Sequence, residues 1–224
     1  MQRTLAAYEQ TGEYGVEQFS TLASYQMGQV YLQLSADLMA SERPANIDPL
    51  ALEQYELMLE EQAYPFEEKA IAIHESNARR CREGIYDEWV RRSFGELARL
   101  LPARYGKTET VSGDDIVHSE QWFEEHISRN PDDLANLNEY GVLLRLQGRF
   151  PEAEQSYLAA LAVAETYPDT HRNIAVLYDL YLGDSEQALQ HLYRYQALTN
   201  SDDRTVAGWI ADLERQVTML VQEN

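Results

Sequence analysis

From residue 114 onward, small and apolar residues return at a fixed interval, and no other feature of the sequence limits the possible folds as strongly. Ser119, Phe123 and His126 are followed 34 residues later by Ala153, Tyr157 and Ala160, and Gly141 by Ala175. The first three return again 35 residues on, as Ala188, Leu192 and Tyr195. A period of this length is one helix–turn–helix unit, which cannot bury its apolar face alone and must stack on its neighbours. The small residues have a packing reason. Gly141 or Ala175 on the first helix of a unit is expected to lie against Ala153 or Ala188 on the second, where only a small side chain lets two backbones approach. Tyr157 and Leu192 then fill the space towards the next unit. Two full repeats are expected, preceded by a half-repeat over about residues 114–129 and followed by a capping helix. Gly148 marks the turn inside the first full repeat. The second carries one extra residue near Tyr181, Leu182 and Gly183, so its turn should differ. Ser201 is placed to cap the last helix, with Val206, Ile210, Leu213, Val217 and Leu220 on its inner side.

Upstream the helical character continues without the repeat. Gly and Pro number 11 and 7 in 224 residues, good helix formers dominate, and no alternating β-branched run occurs, so no strand is assigned. A long helix over about residues 13–39 carries Val16, Phe19, Ala23, Met27, Val30, Leu34 and Leu38 at helical spacing. Asp48 and Pro49 open the next, a capping residue followed by proline at the first helical position, with Leu52, Tyr55 and Leu59 inward. Pro65 is expected to end that helix and begin a third, with the stripe Phe66, Ala70, Ile73, Asn77, Cys81 and Gly84 as its stop. A fourth, about residues 85–101, shows Tyr86, Val90, Phe94, Leu97 and Leu101 and must return antiparallel across the very short turn. Residues 102–115 have no period and hold Pro, two Gly, Ser and Thr, which reads as a boundary. The expectation is an all-α chain, an α-solenoid, with a helical sub-domain at 1–101, a linker at 102–115, and repeats with a capping helix at 116–224.

Over about residues 114–200 the period and its small residues resemble the tetratricopeptide family. Pro131 falls where that family commonly ends a unit, whereas its tryptophan position holds Leu137 and His171. The stretches YELMLEEQAYPFEEKAIAIHESNARR, YDEWVRRSFGELARLLPARY and NIAVLYDLYLGDSEQAL are similar to large bacterial tetratricopeptide proteins of the cell envelope, associated with TonB/ExbB/ExbD-type energy-transduction systems. That resemblance covers most of the chain, as the C-terminal part of longer proteins. It implies a periplasmic, non-catalytic protein–protein interaction scaffold partnered by another protein, and a Met1 that is not the natural start. In the family the first helix of each repeat lines the concave side. The groove residues so implied here are Asn138, Val142, Arg145, Arg172, Val176 and Asp179, over which a partner's peptide or helix would lie. The two-carboxylate clamp of chaperone-binding members takes Lys and Asn where Asn138 and Val142 stand, so a chaperone C-terminus is not expected. A structural spacer with no peptide in the groove is the alternative.

Charge narrows the partners further. The net charge is -20, with 12 acids and 2 bases in residues 1–68, 6 and 9 in 69–113, and 20 and 7 in 114–224. Such a chain repels phosphate backbones and anionic bilayers, which argues against nucleic acid and membrane surfaces. No apolar stretch approaches the length of a membrane span, and the opening residues do not read as a signal peptide. Met1, Gln2 and Arg3 run into a helical stretch with no capping residue ahead of it. A cytoplasmic protein that begins here and a piece of a longer chain both stay open.

Chemistry is sparse. One cysteine, Cys81, excludes an intramolecular disulfide and a thiolate zinc site. His74 and Glu75 begin a zinc-protease-like motif, but the second histidine position is Ala78, so His74 and Asn77 are expected as hydrogen-bonded core residues. His118 and His126 lie two helical turns apart without further ligands, and no metal or cofactor is expected. Acidic pairs such as Glu60–Glu61, Glu67–Glu68 and Glu124–Glu125 read as solvated helix faces. Arg79, Arg80, Arg82, Arg91 and Arg92 form the one basic concentration. It reads either as compensation of a helix end and its acidic neighbours or as a docking patch for an acidic partner. Arg145 and Arg172 fall on expected groove positions of consecutive repeats. Together they would hold one carboxylate; otherwise they neutralise Asp179 or Glu139.

Overall fold

The computed structural model is all-helical, and among the described residues there is no strand. It describes residues 2–13, 17–45, 47–113, 116–200 and 203–223, the side chains of Glu13, Glu17, Leu220, Val221 and Glu223 aside. The expected cap Ser201, and Val16 and Leu220 of the expected stripes, lie outside that description. The chain divides into two compact units, Met1–Leu100 and Leu101–Asn224.

The first unit holds α1 (Gln2–Glu13), α2 (Glu17–Met39), α3 (Pro49–Arg79) and α4 (Glu88–Leu100). α2 packs on each of the other three. Asp48 caps α3 as expected, its carboxylate accepting from the Ala51 amide at 2.9 Å, and Gly84 closes the turn after α3 at φ 85°. Pro65 does not divide the helix. α3 runs through it, a course that forfeits a backbone hydrogen bond and costs about 3 kcal/mol. Burial on both sides offsets that cost: Leu59 and Ala63 before the proline, and Ala70, His74, Asn77 and Ala78 after it, all lie in the core.

The inward face of α2 also differs from the apolar stripe. Phe19 is 51% exposed, while Thr21, Gly28 and Ser35, one heptad apart, are buried. The reason is close approach. A Cβ on Gly28 would stand 2.4 Å from His74 Nε2, so α2 and α3 meet where no larger residue fits.

The second unit begins with the short α5 (Pro102–Tyr105), then a stretch without regular secondary structure through residue 111. α6 (Glu120–Arg129), α7 (Leu134–Leu146), α8 (Phe150–Val163), α9 (Pro168–Val176), α10 (Ser185–Thr199) and α11 (Arg204–Glu223) follow, and sequence neighbours pack as pairs. The residue against Gly141 is Tyr157 rather than Ala153: an added Cβ would stand 2.4 Å from the Tyr157 ring. α9 continues into a π-helical turn, Leu177–Leu182, that ends on Gly183 at φ 75°. A π-turn takes up one additional residue without breaking the helix, and this one spans Tyr181 and Leu182, where the sequence is one residue longer than the 34-residue interval.

Residues 102–113 of the expected linker fall within the second unit, with Lys107 7% exposed. A segment without apolar period still enters a core when charged and polar partners wait for it there.

Candidate functional site

One face of α7 and α9, with the π-turn that follows α9, gathers the buried polar side chains Asn138, Thr170, Asn173 and Asp179. Asn138, Asn173 and Asp179 are 2%, 0% and 1% exposed, and Val142 and Val176 are buried between them. All six groove residues named from the sequence are accounted for, and what they surround is the chain's own residues 104–112.

Backbone contacts come first. The Asn173 carboxamide accepts from the Thr110 amide at 2.7 Å and donates to the Thr110 carbonyl at 2.7 Å. Asn138 donates to the same carbonyl at 3.2 Å, its own oxygen held by Thr170 and Asn173 at 3.0 Å each. Arg172 Nε donates to the Thr108 carbonyl at 3.1 Å, and Glu139 accepts from the Ser112 amide at 3.1 Å. The paired backbone groups thus belong to residues 108, 110 and 112, alternate positions of the segment, as along one edge of an extended chain.

Alternate side chains go inward. Lys107 Nζ is paired with Asp179 and lies 3.2 Å from Asp212, while Arg104 approaches Asp179 at 2.8 Å. Glu109 takes both Nε and Nη2 of Arg145, the Nε bond being 2.7 Å, and a hydrogen bond from the Tyr157 hydroxyl at 2.7 Å. The side chains of Lys107, Asp179 and Glu109 are at most 3% exposed. Burial raises the Glu109 carboxyl above its ordinary range, and Arg145 and Tyr157 pull the other way. Desolvation of this degree leaves any one partner costly to remove. Beside the strap lies a cleft of about 680 Å³, lined among others by Val111, Ile116, Val142, Leu146, Val176 and Tyr181.

Arg145 and Arg172 do not share a carboxylate. Arg145 is spent on Glu109, while Arg172 stacks 4.8 Å over Trp209 and lies 3.7 Å from Asp203. Sequence reasoning missed Asn173, Lys107 and Glu109. Asn173 was within reach: an interval of 35, that of Ala153 and Ala188, sets Asn138 on Asn173, whereas an interval of 34 sets it on Arg172. Lys107 and Glu109 carried no periodic signal.

His74 is 0% exposed, its Nδ1 3.2 Å from Ser93 Oγ, and Asn77 donates to Ser93 Oγ at 2.9 Å and the Thr21 carbonyl at 3.2 Å. Burial pushes the His74 imidazole down to about 4 and the Cys81 thiol up to about 11. His118 and His126 stack on either side of Trp122, at 3.6 and 4.6 Å. His171 and His191 face each other through their Nδ1 atoms at 2.8 Å. His171 Nε2 donates to the Glu165 carbonyl, so the proton between the rings is donated by His191. Among the described residues no group of three or more His, Cys, Asp or Glu is arranged to hold a metal ion. No described helix is long and apolar enough to cross a membrane. Of the basic concentration, Arg92 pairs with Glu88 at 2.6 Å and stacks on Trp89. Among the described residues Arg79, Arg80, Arg82 and Arg91 make no ion pair. No family model, curated protein or solved structure matches the chain.

Proposed function

We propose that the chain is a non-catalytic interaction scaffold whose second unit, built of tetratricopeptide-type repeats, receives an extended stretch of a partner protein on the inner face of α7 and α9. The observation that carries this reading is the two-way grip of Asn173 on Thr110, accepting from its amide and donating to its carbonyl. Main-chain bonds of this kind give affinity for a peptide of any sequence, and pockets for alternate side chains give selectivity. The face does both for the chain's own strap. The resemblance to large bacterial envelope proteins supports a periplasmic place in a multiprotein complex. The charge of -20 supports a protein partner over nucleic acid.

The filled groove also supports a second reading, a spacer in a larger solenoid in which the strap is a permanent filling. The two readings separate experimentally. Peptides selected from a displayed random library against the full chain should protect amides of α7 and α9 from hydrogen exchange. Selection that yields no binder, or binders whose footprint avoids those helices, supports the spacer and refutes the peptide-receiving scaffold.

A further inference from the structure

The inner face is specific for more than backbone. We propose that it selects extended segments carrying a basic residue two positions before an acidic one, and that residues 107–111 are a resident copy of that ligand which a partner segment must displace. The inference rests on the peptide-receiving reading above and adds the partner's chemistry and its control.

The pattern of buried charge sets the register. Asp179, with Asp212 beside it, forms the seat for a cation, which Lys107 fills. Arg145, with the Tyr157 hydroxyl, forms the seat for a carboxylate, which Glu109 fills. Thr110 lies between the carboxamides of Asn138 and Asn173, which fixes the strand so that residues 107 and 109 point the same way. A segment with the charges exchanged would set like against like at both seats. Apolar side chains would leave Arg145 without its carboxylate in a buried place, and Asp179 with Arg104 alone. Thr108, by contrast, is exposed and its hydroxyl meets only Arg172 Nη2 at 3.4 Å, so the position between the two charges is the least constrained.

The strap is held in a manner suited to exchange. Its inward anchors are ionic, and buried ion pairs lose in desolvation much of what they gain in attraction. A partner bringing the same two charges restores every pair, so its entry leaves no charge stranded. What it must overcome is proximity. A tethered segment competes at an effective concentration of about 1 mM, so a partner peptide with a dissociation constant of about 10 µM is weakened by about a hundredfold.

The test uses the full chain and a synthetic peptide of residues 105–113, YGKTETVSG. With Lys107→Ser and Glu109→Ser in the chain, the labelled peptide should bind, and should bind the unaltered chain at least about tenfold more weakly. Alanine in place of the peptide's lysine or glutamate should lower affinity for the altered chain by at least about tenfold. Where the altered chain folds only on addition of the peptide, that rescue is the binding signal. In the unaltered chain, millimolar peptide should speed exchange of the Thr110 amide, and a scrambled peptide should not. A folded altered chain that ignores the peptide or binds the scrambled one equally overturns the proposal. So does an altered chain that no peptide rescues, with Thr110 exchange unchanged in the natural one. If library-selected peptides protect α7 and α9 while YGKTETVSG does not bind, the scaffold reading stands and this proposal alone falls.

Discussion

Acid should weaken the first unit through His74, and the size of the effect follows from its burial. The imidazole is held at about 4 in the folded state, against 6.5 when exposed, because the core strips away its water. Its neighbours do little to restore the proton. Ser93, Asn77 and Tyr25 are neutral, Glu96 favours the charged form, and Arg99 opposes it. Between pH 6.5 and about 4 the unfolded chain binds a proton that the folded chain refuses, so stability is greatest above that window and falls as pH drops through it. From pH 7 to pH 4.5 the linkage amounts to roughly 2 to 3 kcal/mol. The assay is hydrogen exchange of the most protected amides of α3, which reports opening of this unit alone, in the natural chain and in His74→Gln. The variant starts less stable but lacks this titration, so its acid loss should be smaller by about that difference. A parallel NMR titration of the His74 ring should show a midpoint near 4. A midpoint near 6.5, or equal acid losses in the two proteins, would refute the desolvation argument.

Three further outcomes follow from the geometry. Glu109→Ala leaves Arg145 and the Tyr157 hydroxyl buried without their acceptor and should destabilise the second unit by about 3 to 5 kcal/mol in denaturant titration, with Glu109→Gln retaining part of the loss. Residues 101–224 should melt cooperatively when expressed alone. Residues 114–224, which lack Lys107 and Glu109, should melt at least about 10 °C lower or not fold, as followed by circular dichroism. Gly141→Ala should cost about 1 to 3 kcal/mol, because the new methyl meets the Tyr157 ring, whereas Gly95→Ala in the middle of α4, with nothing within 4 Å, should raise stability by up to about 1 kcal/mol.

Helices were legible in the sequence because they rest on local terms. The Asp48–Pro49 start and the Gly84 stop each concern groups a few positions apart. Asn138, Val142, Arg145, Arg172, Val176 and Asp179, chosen from the sequence by helix position, all lie around residues 104–112, since position along a helix determines which way a side chain points. What a residue meets across the fold was not. Pro65 reads as a helix stop until Ala63 and Ala70 are seen buried on either side of it, and Phe19 reads as core until Gly28 is seen against His74. The strap is the clearest case. Gly106 to Ser112 is polar and aperiodic, so nothing local distinguishes it from a linker. Its place is decided by Asp179, 72 residues from Lys107, and by Arg145, 36 residues from Glu109. Long-range pairing of charges leaves no periodic trace in sequence, because electrostatic partners need only the right sign and distance, which the assembled helices alone provide.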